Sequence, residues 1–263
     1  MSLVFGGLLV VLGAVGAFVA GLLGVGGAIV MIPLLLYVPP LLGVGRFDVK
    51  TVAAITMVQV FVAAVSGVVA HGRHRAVNPR LAWVGGLTMA VGSMAGAVAS
   101  KHVPHRVLLI VFALMVAAAF TLMFLPEPPA DITTPAQSKP YRRRLIMTVT
   151  GGVGLAAGLV GAGGAFLLVP LLLVVVGVPI RVTIGSSLAI TAFAATAGVA
   201  GKLVTHQVPL VPALLVALGA LPGAQLGGLA SQRLSGVALK RILFVVIVLT
   251  GVRVWWDVLM EPT

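Results

Sequence analysis

Between residues 3 and 256 the chain is a succession of apolar runs of the length a membrane imposes. The runs at 50–71, 80–99, 106–125, 182–203, 209–230 and 237–256 each approach the roughly 20 residues that a helix needs to cross a bilayer. Two others, 3–41 and 145–178, are too long for one crossing. Charged residues make up 8% of the chain and hydrophobic ones 60%, whereas a soluble domain carries about 25% charged residues. In hydrocarbon every backbone polar group must be satisfied within the segment, and a helix does this. The expected fold is therefore an all-α polytopic membrane protein. The absence of cysteine removes disulfides, thiolate metal sites and thiol chemistry. The glycine-rich start lacks a basic leader and is not read as a cleaved signal peptide.

Both over-long runs carry the same internal interruption. Gly21-Leu22-Leu23-Gly24-Val25-Gly26-Gly27 is followed by Pro33 and three leucines; Gly158-Leu159-Val160-Gly161-Ala162-Gly163-Gly164 is followed by Pro170 and three leucines. The copies lie 137 residues apart (158 − 21). Glycine loses helical order most readily, and proline removes a backbone donor. Each run is thus expected to break and form a helical hairpin. In lipid such a break is tolerated only where it is buried in protein or lines a wet cavity. Paired breaks in two halves are the sequence mark of a transporter binding site.

The repeat extends beyond the glycines. At an offset of 131, Gly67 matches Gly198, Val77 matches Val208, Gly92 matches Gly223 and Gly96 matches Gly227. A proline-rich polar segment from Pro126 to Arg144 separates the copies. The reading is a first transmembrane repeat over 1–125, a linker over 126–144 and a second repeat over 145–263, each of about four transmembrane regions. Lys and Arg decide orientation, because cytoplasmic loops carry the excess. If each broken run crosses once, they divide nine to eight between the sides; if each is a hairpin returning to its own side, they divide eleven to six. The hairpin reading gives the asymmetry. It makes the repeats inverted, the linker cytoplasmic and both termini external. Whether the hairpins are re-entrant or fully spanning is left open.

The formal charge of +12 is assigned to loop residues that fix orientation rather than to nucleic acid. Free N–H groups after Gly24, Gly26, Gly27 and after Gly161, Gly163, Gly164, together with the positive end of a helix dipole, suit an anion. In the second repeat Thr183, Ser187, Thr191, Gly198 and Lys202 fall on one helical face. Ser186 is adjacent, and Lys202 lies where it either reaches the interface or draws an anion into the mouth. The first repeat offers Thr56, Gln59 and Ser66. Gln225 is a second amide within a span and needs partners there. All five acids sit at run edges, so no carboxylate proton relay is expected. His71 and His74, beside arginines, read as loop residues. HExxH, GxSxG and GxxxxGK[ST] are absent, which leaves no enzymatic signature and no cofactor.

The doubled Gly-Leu-Leu-Gly-Val-Gly-Gly…Pro33 and Gly-Leu-Val-Gly-Ala-Gly-Gly…Pro170, with Ile184-Gly185-Ser186-Ser187-Leu188 after the second, resemble the sulfite exporter TauE/SafE family of membrane permeases. The resemblance covers nearly the whole chain outside the linker. It implies export of small sulfur-containing anions, sulfite or organosulfonates such as sulfoacetate, across the bacterial cytoplasmic membrane. The family's Thr-Ser is Ser186-Ser187 here and Ile55-Thr56 in the first half. The expected function is a secondary transporter working by alternating access. Its site would comprise the glycine-break amides, Thr56, Gln59, Ser186, Ser187, Thr191 and Lys202. A passive anion channel and a non-transporting membrane subunit are the alternatives. The partners expected are the anion and the bilayer, with no nucleic acid; homo-oligomerisation is left open.

Overall fold

The computed structural model describes residues 3–72, 77–125 and 142–260. Most of the linker and the Arg73–Arg75 part of the basic run lie outside them. Among the described residues the chain is all helix, with ten helices and no strand. They are α1 (Leu3–Leu23), α2 (Ala28–Leu41), α3 (Val49–Gly72), α4 (Pro79–Ala99), α5 (His105–Met123), α6 (Arg143–Val160), α7 (Ala165–Val174), α8 (Ile180–Val204), α9 (Leu210–Arg233) and α10 (Gly236–Met260). Seven of them contain described stretches long and apolar enough to cross a membrane. The protein is a multi-pass membrane protein.

Each over-long run resolves into two helices, so each repeat has five. The helices after the breaks are short: α2 has 14 residues and α7 has 10. At about 1.5 Å per residue neither spans a hydrocarbon core of about 30 Å. Met31 on α2 packs back on Gly16 of α1, and Phe5 near the start of α1 stacks on Phe47 just beyond α2, centroids 5.4 Å apart. The first hairpin therefore enters and leaves at one end of the bundle. The same end holds Lys50, whose Nζ donates to the Lys101 carbonyl at 3.0 Å.

The repeats interlock rather than stand side by side. α1 of the first repeat runs parallel to α9 of the second, with Gly219 and Gly223 against Ala14 and Gly227 against Leu22. In the mirror arrangement α4 runs parallel to α6, with Gly92 against Leu155, Gly96 against Leu159 and Gly158 against Ser93. A Cβ at Gly92 or Gly96 would lie 2.8 Å from the facing backbone nitrogen. These seams admit only glycine because backbone meets backbone, the packing mode that replaces hydrophobic drive in lipid. α3 and α8 cross at the centre and run antiparallel: Gly67 meets Leu188, and ten residues earlier Met57 meets Gly198 (67 − 57). α5 and α10 close the bundle on one flank through Phe120, Phe124 and Phe244.

Candidate functional site

The two breaks converge on the α3–α8 crossing. Gly24, Gly26 and Gly27 have φ of 71°, 73° and 78°; Gly161, Gly163 and Gly164 have 77°, 60° and 74°. A side chain in this left-handed region costs about 1–2 kcal/mol, so the spacing of three glycines in each copy is a requirement of the unwound backbone. A Cβ at Gly26 would lie 3.3 Å from Val60 Cγ1 and 3.4 Å from both Ala165 Cβ and Thr191 Cγ2. A Cβ at Gly163 would run into Val60 and come within 3.2 Å of Thr191 Cγ2. Val60 and Thr191 are equivalent at the offset of 131 (191 − 60). The crossing point is thus shared by both breaks and by one residue from each repeat.

Unwinding leaves donors free. Among the described residues the amides of Gly26, Gly27, Ala28 and Ile29 donate to no protein acceptor, and neither do those of Gly163, Gly164, Ala165 and Phe166. The first bonded donors are Val30, to Gly27 O at 3.1 Å, and Leu167, to Gly164 O at 3.2 Å. The N-termini of α2 and α7 therefore present amides and positive dipole ends from buried positions. The polar side chains nearby are similarly unsatisfied. Thr191, Thr56 and Gln59 are fully buried, and Thr191 Oγ1, Thr56 Oγ1 and both polar atoms of the Gln59 amide lack a protein partner. A Cβ on Gly27 would stand 3.0 Å from Gln59 Nε2, so this amide lies directly on the first break. Leaving such groups unpaired costs about 1–3 kcal/mol each. Native proteins accept that cost where the groups have another use.

Not every residue singled out in the sequence belongs to this cluster. Ser187 Oγ donates to Gly24 O at 2.8 Å and contacts Ile184 O at 3.0 Å. It ties α8 to the first break. Ser186 Oγ accepts the Asn78 amide at 3.0 Å and holds the start of α4. Lys202 sits eleven residues beyond Thr191 (202 − 191), about 16 Å along the helix. It is fully buried at the bundle end, where its Nζ donates to Ser100 Oγ at 2.9 Å and reaches Gln207 Oε1 at 3.5 Å. Ser100 and Gln207, the partners of Lys202, both donate to the Ala97 carbonyl near the C-terminus of α4, so Lys202 lies beside a negative helix end. Gln225 is exposed on the perimeter. Ser93 was missed by sequence reasoning. It is buried and unpartnered, and lies 2.7 Å from where a Gly198 Cβ would be. Its position between Gly92 and Gly96 marks a seam rather than a site.

No group of three or more His, Cys, Asp or Glu able to hold a metal occurs among the described residues. Val60, Thr191 and both glycine breaks are buried, and cavities open at the bundle ends and flank. Chemically, the crossing can offer up to eight backbone amides, two hydroxyls and an amide to a ligand with no group of negative charge. Such a donor set suits an anion.

The sulfite exporter TauE/SafE family model matches residues 9–254. The chain is 30% identical to a probable membrane transporter protein of Xylella fastidiosa strain Temecula1, over 95% of each chain. It is 23% identical to the probable membrane transporter protein YunE of Bacillus subtilis strain 168, over 95% of this chain and 97% of that one. No solved structure matches it significantly. With the full-length match to the family, the chain belongs to the sulfite exporter TauE/SafE family of membrane transporters.

Proposed function

We propose that the protein is a secondary transporter that exports small sulfur-containing anions, sulfite or an organosulfonate such as sulfoacetate, by alternating access. The observation that carries this is the meeting of two sets of free, buried amides at one crossing, with Thr191 and Gln59 unpaired beside them. Many weak neutral donors replace an anion's hydration shell without trapping it as a lysine would. The binding residues are the amides after Gly26–Gly27 and Gly163–Gly164, with Thr191, Gln59 and Thr56. Ser186 and Ser187 position the breaks from behind.

Two inverted repeats with a cytoplasmic linker form the scaffold. The antiparallel α3–α8 crossing supports the inversion, since a dyad along the membrane normal would leave equivalent helices parallel. A hairpin that returns to its own end, as the Phe5–Phe47 contact favours, divides the cations eleven to six. The glycine seams imply which parts move. α1 is welded to α9 and α4 to α6, so the moving bodies each combine helices of both repeats and slide at the α3–α8 and α5–α10 contacts. Motion at these contacts, rather than a rocking of one sequence half against the other, alternates access.

Reconstitution into liposomes tests the reading. The expected result is a saturable flux of sulfite or sulfoacetate, abolished by Gly164→Leu in a protein that still inserts. A non-saturating flux indicates a channel. An absence of any ligand-dependent stabilisation against sulfite, sulfoacetate, sulfate and acetate indicates a subunit that does not transport.

A further inference from the structure

Two cavities remain outside this account, and they occupy the same place in the two repeats. One, of about 800 Å³, lies at the C-terminal end of α2, against the start of α5 and the end of α10. The other, of about 400 Å³, lies at the C-terminal end of α7, against the start of α10 and the end of α5. Leu36 and Tyr37 of the first correspond to Leu173 and Val174 of the second at the offset of 137; Leu109 and Arg253 correspond to Lys240 and Leu122 at 131. Their common cause is the length of α2 and α7, which leaves a groove beside each hairpin.

Each groove joins an apolar wall to a cationic rim. The first carries Arg46 and Arg253, with the Arg253 guanidinium 4.2 Å over the Tyr37 ring, and one acid, Asp48, whose carboxylate accepts the Thr51 amide at 3.4 Å. The second carries Lys240 and Arg241, with exposed Leu125 and Val245 at its outer side. The cations are not inherited with the cavity. Arg253 stands where the other groove has Leu122, and Lys240 stands where the first has Leu109. Orientation by positive charge accounts for Lys240 and Arg241, which lie at the end with eleven cations, but not for Arg46 and Arg253. The end with six cations places two of them, Arg46 and Arg253, at this groove.

We propose that each groove holds the headgroup of an anionic phospholipid, one site in each leaflet, with the phosphodiester on the cations and an acyl chain along the apolar wall. In the first groove the Arg46 and Arg253 guanidiniums suit phosphate oxygens as planar forks, and in the second Arg241 does so beside the point charge of Lys240; Phe47 and Leu109 in the first groove and Phe244 in the second supply the wall. A soluble phosphate would use the rim and leave the wall unused, which favours the lipid. Bound lipid would wedge each short helix against α5 and α10, the flank that closes the bundle.

The test is lipid binding by the purified full-length protein in detergent. Phosphatidylglycerol, phosphatidylcholine and glycerol 1-phosphate are added in parallel. Native mass spectrometry counts bound lipid, and thermal unfolding reads stabilisation. The expected result is retention of two phosphatidylglycerol molecules and a larger rise in melting temperature than with phosphatidylcholine. Arg46→Ala with Arg253→Ala should remove one retained lipid and weaken binding by about tenfold or more. Lys240→Ala with Arg241→Ala should remove the other. The Arg46→Lys, Arg253→Lys pair, which keeps charge, serves as the folded control and should retain more lipid than the alanine pair. Equal binding of the two lipids, unchanged binding in both alanine pairs, or full stabilisation by glycerol 1-phosphate alone would overturn the assignment. None of these outcomes depends on transport at the crossing.

Discussion

The two glycine breaks are copies in sequence and backbone, yet they are held differently. At the first, Ser187 reaches across from α8 and donates to the Gly24 carbonyl at 2.8 Å. At the second, the matching residue on α3 is Thr56, whose hydroxyl has no protein partner. The crossing residues differ too: Val60 and Gln59 on α3 correspond to Thr191 and Ile190 on α8 at the offset of 131. One break is thus fastened by a hydroxyl while its counterpart is left loose. Duplication supplied the geometry twice, and the polar groups were placed individually. The lesson is that in this fold the unwound backbone is symmetric, while hydroxyl and amide chemistry need not be.

The largest effect should come from closing either break. Gly27→Leu and Gly164→Leu put a side chain at φ of 78° and 74° into Gln59 and Met89 respectively. Backbone strain of about 1–3 kcal/mol adds to overpacking of about 1–3 kcal/mol. Transport should fall below detection in both, measured as liposome flux, while detergent-solubilised protein remains monodisperse. If one variant transports normally, the breaks do not act together.

Next comes the fastening itself. Ser187→Ala strands the Gly24 carbonyl and should lower stability by about 1–3 kcal/mol. Thr56→Val removes a hydroxyl that bonds nothing in the protein, and should leave ligand-free stability unchanged or raised. Denaturation of the two variants in detergent reads the difference directly. Equal losses would erase the asymmetry on which the comparison rests.

Gln59→Leu sharpens the contrast between stability and function. Its amide is buried without partners, so an apolar replacement should stabilise the ligand-free protein by about 1 kcal/mol or more. Anion affinity should nevertheless drop by about tenfold, the equivalent of one lost hydrogen bond. A titration followed by thermal shift separates the two effects. The smallest effect is expected at Lys202→Met. Ser100 Oγ keeps the Ala97 carbonyl at 2.7 Å, and Gln207 Nε2 keeps the Ala97 carbonyl at 3.1 Å and the Thr205 hydroxyl at 2.6 Å, so both keep a partner without the lysine. The distance from Thr191 predicts unchanged anion selectivity, checked by competition among sulfite, sulfoacetate and acetate.

Much of this was legible in the sequence. The glycines at matched offsets told where the helices unwind, because only glycine tolerates those φ values. The cation count favours a hairpin over a single crossing, by eleven to six against nine to eight. What the sequence could not convey was partnership. Ser186, Ser187 and Thr191 sit within one turn and a half of α8 and look alike, yet two are used on Asn78 and Gly24 and one is left unpaired. That division depends on which helix lies opposite, and the interlocking of α1 with α9 and α4 with α6 sets it. The same interlocking is invisible to a reading that treats each repeat as a body. Lys202 misled for a related reason: a lysine near a helix end suggests an exposed mouth, whereas the neighbouring C-terminus of α4 buries it.

The central claim is that anions occupy the crossing of α3 and α8. Because the chain contains no cysteine, Val60→Cys would provide a unique thiol at that point, and its rate of maleimide labelling in membranes is the direct measurement. The account predicts slow labelling that saturating sulfoacetate suppresses and acetate does not. Labelling at one rate, whatever anion is present, would contradict it.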